Sequence, residues 1–171
     1  MANGILIRAE IEDSGIRAKL MALIALGQDP SEALRDIATL GENSTRERFR
    51  MQIGPDGNRW KPLKTGLFEG GFFGKKHLRK DGRIRKSAIN RALGRKILTR
   101  DGHLGDSITA RSSSQYAEWG TNRVYGAIHQ LGGKAGRGRK VTIPARPYLG
   151  VNDENAADIL NLLSDRIEGA R

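Results

Sequence analysis

A helix start at Asp29-Pro30 opens the longest periodic run in this sequence, and any fold has to be built around it. Asp is a favoured N-cap, Pro suits the first helical position, and Glu32 meets the positive end of the helix dipole. Leu34, Ile37, Ala38, Gly41, Thr45 and Phe49 then fall on one stripe, which predicts a helix to about Met51. Its far half is strongly charged, with Arg46, Glu47, Arg48 and Arg50. Gly54-Pro-Asp-Gly57 predicts a tight turn at its end, after which Trp60 is expected to pack back on the helix.

Shorter elements flank this one. Ile5, Ile7, Ala9 and Ile11 alternate with less buried positions and predict a strand, broken at Asp13-Ser-Gly15. Ile16, Leu20, Leu23 and Ile24 recur at helical spacing and predict an amphipathic helix over about 15–26. Ser87 to Leu98 has the pattern of a short helix. Residues 107–112 and 116–119 alternate on either side of a Ser-rich turn, as a hairpin does. Thr121-Asn122 is expected to cap a helix from Val124 to Leu131, ended by Gly132-Gly133. Lys134 to Lys140 follows as a Gly/Arg loop, and Val141 to Ile143 as a strand returning to the same sheet, its exit fixed by Pro144 and Pro147. A last helix starts at Asp153 with Asn152 as N-cap. Its stripe of Ala156, Ile159, Leu160, Leu163 and Ile167 is expected to dock on a sheet. The order predicts one α+β domain over 1–171: a small, mostly antiparallel sheet packed against helices, with a Gly-rich, basic loop or helical insertion at about 64–100.

Composition narrows the chemistry. The 171 residues carry a net charge of +11, which favours an anionic partner: nucleic acid, an acidic protein or an anionic membrane surface. Cys is absent, so disulfides and thiolate metal sites are excluded. His77, His103 and His129 show no metal-ligand spacing, and no cofactor is expected. No apolar run approaches the ~18 residues of a membrane span, and the N-terminal apolar run is too short for a signal peptide. From Lys75 to Arg100 there are eleven Lys/Arg and one acid, Asp81. Such a block repels itself and supplies no core. It reads as a mobile loop or helical hairpin that orders against a partner. Lys75, Lys76, Arg79, Lys80, Arg83, Arg85 and Lys86 are the candidate contacts to DNA or to an acidic protein, the former without sequence readout.

Aromatic residues, a His and a Gly/Arg loop cluster over Tyr116–Gly150, the composition of a reactive site. A catalytic His129 needs a nucleophile and an orienting carboxylate. Ser112 to Ser114 and Glu118 are near in sequence, yet no nucleophile-elbow pattern surrounds them, so His129 reads as a structural, hydrogen-bonded residue. Gly132 to Lys140 resembles a phosphate loop only superficially: its Gly-Lys is followed by Ala, and the loop leaves a helix instead of opening one. A basic hairpin touching phosphates or a neighbouring subunit, or a solvated loop, remain the readings for it. The acids show no paired spacing of nuclease or glycosidase type, so no enzyme is expected.

Several segments in series resemble the phage virion morphogenesis family, the tail-completion proteins of Mu-like and P2-like contractile-tailed phages. They are Arg48-Phe49 leading into Pro55-Asp-Gly-Asn-Arg-Trp-Lys-Pro-Leu63; Ile97-Leu98, Gly102, Leu104 and Ser107-Ile108; Tyr125-Gly-Ala-Ile-His-Gln-Leu-Gly-Gly133; and Ile143-Pro-Ala-Arg-Pro-Tyr-Leu-Gly150 before the acidic helix start. The resemblance implies a non-enzymatic particle protein at the head–tail junction, made in the host cytoplasm. It also implies a homo-oligomeric ring, expected as a hexamer, touching tail tube or sheath and neck or connector proteins; the basic surface suits either nonspecific contact to packaged DNA or acidic neighbouring proteins, and no membrane partner is expected. Residues 64–92 depart from the family pattern, so the resemblance implies no role for them. Trp60, Trp119, Tyr125, His129, Arg137, Arg139, Pro144, Arg146, Pro147 and Tyr148 become the structural or interface candidates.

Overall fold

The computed structural model describes residues 13–62, 78–93, 96–99 and 103–170. The expected strand at 5–11 and the Gly-rich stretch around Phe72 lie outside the described residues, as do Lys75 and Lys76. Five α-helices and two hairpins make up the described α+β fold. They are α1 (Ser14–Ala25), α2 (Ser31–Met51), α3 (Lys86–Leu93), β1 (Ile108–Ser112), β2 (Ala117–Thr121), α4 (Gly126–Leu131), β3 (Gly133–Ala135), β4 (Val141–Ile143) and α5 (Asp153–Gly169).

The helix α2 is the spine, and its stripe faces two cores in turn. Toward its N-terminus, Ala33, Leu34 and Ile37 pack with Leu23 of α1 and with Ile159 and Leu163 of α5. Toward its C-terminus, Phe49 packs with Trp60, Leu104, Ile108 and Tyr148. The last helix therefore docks on α1 and α2 and not on a sheet: periodicity shows which face of a helix is apolar, not what will cover it. Its start is as expected, with the Asn152 side chain accepting from the Asn155 N–H at 2.9 Å. On α2 the cap shifts by one residue. Pro30 holds the cap position in a helical conformation, and Asp29 accepts from the N–H and hydroxyl of Ser31.

The hairpin β1–β2 is antiparallel, with Ala110 opposite Trp119 and Ile108 opposite Thr121. The spine covers its free edge. Glu42 accepts from the Ala110 N–H at 2.9 Å and Arg46 donates to the Ile108 carbonyl at 3.0 Å, while the two side chains pair at 2.7 Å. Two of that edge's backbone groups are thereby withheld from pairing with another strand. The Trp119 ring lies flat on Gly41 of α2, so close that any Cβ there would collide with it.

Four further expectations change. The strand β4 does not join β1–β2: among the described residues it pairs only with β3, in a separate two-stranded sheet running Gly133 opposite Ile143. Lys134 to Lys140 is thus not a plain loop but one strand and a 3₁₀ turn, Arg137–Arg139. Thr121 ends β2 instead of capping a helix at Val124: α4 starts at Gly126 after Tyr125, which offers no side-chain cap. The helix within the basic segment ends at Leu93, and Ile97 and Leu98 turn back onto the aromatic core.

Candidate functional site

The residues that carry the motif pattern meet at one place, where the extended segment from Pro144 to Asn152 crosses the aromatic core. This strap has no regular hydrogen-bond ladder, so its backbone groups need other partners. Side chains supply them. Trp60 donates from Nε1 to the Pro147 carbonyl at 2.7 Å, and its ring meets Phe49 edge-on at 5.3 Å. Gln130 of α4 accepts from the N–H groups of Tyr148 and Leu149 at 2.9 and 3.0 Å and donates to the Leu149 carbonyl at 2.9 Å. One amide thus serves three strap groups.

Two buried arginines hold the strap from either side. Arg48, only 5% exposed, donates to the carbonyls of Tyr148 (3.2 Å) and Gly150 (2.8 Å) and to Asn155 Oδ1 at 2.6 Å. Asn155 also accepts from the Ser44 hydroxyl, which joins α2, strap and α5 in one network. Arg146 belongs to the strap itself. It donates to the carbonyls of Lys61 (2.8 Å) and Pro62 (3.1 Å), and its own N–H donates to the His129 carbonyl. Burial pushes both guanidinium pKa values down, because neither cation has a carboxylate in the network and neutral oxygens solvate them.

Tyr148 is 1% exposed and lies against Phe49, with ring centroids 5.2 Å apart. Burial raises its phenol to about 12. Gly126 makes room for it: a Cβ there would sit 2.8 Å from the Tyr148 hydroxyl and 2.8 Å from the Thr121 methyl. His129 is half-buried, with Tyr125 edge-on at 6.2 Å. The expected hydrogen-bonded side chain is not found: its Nδ1 is buried with no hydrogen-bond partner among the described residues, because the ring packs beside the aromatic Tyr125. Burial first, and the Arg146 charge second, lower its pKa. Among the described residues no hydrogen bond connects Ser112, Ser113 or Glu118 to His129; those three stay on the β1–β2 hairpin. The described residues contain no group of three or more His, Asp or Glu placed to hold a metal ion.

The sequence candidates therefore separate into three places. Trp60, Arg146, Pro147 and Tyr148 build the lock, with His129 at its margin and Pro144 at the strap's start. Trp119 serves the α2 contact. Tyr125, Arg137 and Arg139 are exposed, as are Arg79, Lys80, Arg83, Arg85 and Lys86 on the basic segment. Arg48, Gln130 and Asn155 were missed as site residues. Arg48 had a signal: it lies seven residues after Gly41 and three after Thr45, on the buried stripe and not on the charged face. Gln130 and Asn155 carry no such mark.

The side chains of Trp60, Gln130 and Arg146 bond to the chain's own backbone, and Arg48 to backbone and Asn155, so these residues set the shape of the chain. The chain belongs to the phage virion morphogenesis family, which matches it over residues 11–168. It is similar to the Mu-like prophage FluMu G protein 2 of Haemophilus influenzae, 56% identical over 59 residues, which are 34% of this chain and 43% of that one. It is also similar to the putative capsid assembly protein G of Escherichia phage Mu, 37% identical over 75 residues, 43% of this chain and 48% of that one. The matched part thus spans less than half the length of these curated relatives. No solved structure matches the chain.

Proposed function

We propose that this chain is a non-catalytic subunit of the head–tail junction that completes the tail, joins it to the head and assembles with copies of itself into a ring. The observation that carries the reading is the family match across residues 11–168, together with motif residues consumed in an internal lock. A reactive site needs polar groups held ready for a substrate. Here Trp60, Gln130, Arg146 and Arg48 are already bonded to main-chain oxygens or N–H groups. Tail tube or sheath and neck proteins are the partners the reading requires, and a closed ring requires a head-to-tail contact between copies. Cryo-electron microscopy of particles carrying a tagged version of this chain tests the position. Density for the tag at the neck supports it, and density confined to the baseplate or the head vertices contradicts it.

A second reading is favoured by one observation. Arg79, Lys80, Arg83, Arg85 and Lys86 are all exposed, and none is in an ion pair among the described residues. A nucleic-acid contact through this segment predicts DNA affinity that falls steeply with salt and is lost on deleting residues 75–100. The junction reading predicts that the same deletion fails in particle assembly instead.

A further inference from the structure

Charge is segregated on this molecule in a way the lock does not use. From Trp119 to Asn152 the sequence holds six cations and no acid. Four of them, Lys134, Arg137, Arg139 and Lys140, sit on the β3–β4 hairpin, all exposed and none ion-paired among the described residues. The hairpin is an arm. Among the described residues its strands bond only to each other, and no residue from Gly133 to Ile143 is buried. A lone two-stranded hairpin is marginal in water. Its root is firm: Gly132 takes a positive φ of 74°, and a Cβ there would stand 2.7 Å from the Ala145 nitrogen. Beside the cations, Leu131 and Val141 are 67% and 57% exposed.

The opposite charge lies on α5. Glu154, Asp158, Asp165 and Glu168 repeat at spacings of four, seven and three, so they form one stripe opposite the buried face of Ile159 and Leu163. All four are exposed, and none is in an ion pair among the described residues. Like charges at i,i+4 and i,i+3 cost a helix a few tenths of a kcal/mol each, so the free chain carries this stripe at a loss. The helix α1 runs alongside in the same direction, with Gly15 beside Leu160 and Lys19 bonded to Ser164. One surface thus offers cations beside two exposed apolar side chains, and the other offers a row of exposed carboxylates. A phosphate backbone would match the cations but leave Leu131 and Val141 uncovered, whereas protein interfaces combine Arg with buried apolar groups.

We propose that the β3–β4 arm of one copy docks on the acidic α5 stripe of a second copy. The contact pairs two different elements, so it either propagates head to tail from copy to copy or closes a pair that exchanges arms. This rests on the proposal that copies of the chain assemble with one another.

The test uses the full chain and two exposed double variants, Arg137→Glu with Arg139→Glu, and Asp158→Lys with Asp165→Lys. Circular dichroism checks that both fold. Native mass spectrometry and light scattering then read association. The wild type is expected to associate. Each variant alone should associate at least about 100-fold more weakly, because like charges then face each other. An equimolar mixture of the two should regain association, since reversed arm meets reversed stripe. A wild type that associates while both variants match it overturns the arm–stripe contact and leaves self-assembly standing. A wild type that stays monomeric at every concentration overturns both. Arm-dependent binding to a short fluorescein-labelled DNA duplex, with association unchanged in the variants, overturns the protein docking in favour of a phosphate contact.

Discussion

Replacing Arg48 by Met isolates the central element of the lock. The guanidinium holds the carbonyls of Tyr148 and Gly150 and the Oδ1 of Asn155. Met keeps most of the buried volume and removes every donor. Asn155 Oδ1 retains the Ser44 hydroxyl at 3.0 Å, so the two carbonyls bear the loss. An orphaned buried acceptor costs about 1–3 kcal/mol, and here two carbonyls are orphaned. Relief of the buried cation's desolvation offsets part of this, so we expect a loss of about 3 kcal/mol. For a chain of this size that is a Tm drop of about 6–12 °C. The control is Arg50→Met on the same helix. That side chain is 73% exposed and pairs only with Glu47, so its loss should stay within about 0.5 kcal/mol. Urea unfolding followed by Trp fluorescence reads both. If the two variants fall within about 1 kcal/mol of each other, the strap is not held as described here.

Other perturbations probe the remaining contacts. Gly41→Val should displace the Trp119 ring from α2, lowering stability by about 2 kcal/mol or more and shifting Trp fluorescence. Trp60→Phe keeps the edge contact with Phe49 but orphans the Pro147 carbonyl, which should cost about 1–3 kcal/mol by urea titration. Gly126→Ala should destabilise through the Tyr148 hydroxyl and the Thr121 methyl, and Tyr148→Phe in the same chain should recover part of the loss. Because His129 has a lowered pKa in the folded chain, the unfolded chain binds its proton first. Its contribution is therefore lost as pH falls below about 6.5, and stability measured from pH 8 down to 5.5 should fall less steeply in His129→Gln.

Much of this fold is legible in the sequence, and what is not has physical reasons. The stripes of α1, α2 and α5 and the alternation of β1 and β2 mark half-buried elements, and periodicity reads those well. Periodicity carries no information on the covering partner, which is why α5 was expected on a sheet and packs on helices. In the arm, β4 is legible as the strand Val141–Ile143, whereas β3 is not, because Gly133-Lys-Ala-Gly-Arg-Gly-Arg has neither alternation nor β-branched residues. The lock was half visible. Trp60, Arg146, Pro147 and Tyr148 stood out by residue type and pattern. Gln130 did not, because an amide bonded to irregular backbone leaves no trace in spacing. Arg48 was assigned to the charged half of α2 although it lies on the buried stripe, since a cation with three oxygen acceptors takes a position that its charge alone argues against.

The most direct measurement is electron microscopy and infectivity of particles made by a phage deleted for this chain, with and without the chain supplied in trans. Our account predicts full heads that fail to join completed tails, infectivity restored by the wild type, and no restoration by a chain whose lock is broken at Arg48. Normal tailed, infectious particles in the deletion would contradict it.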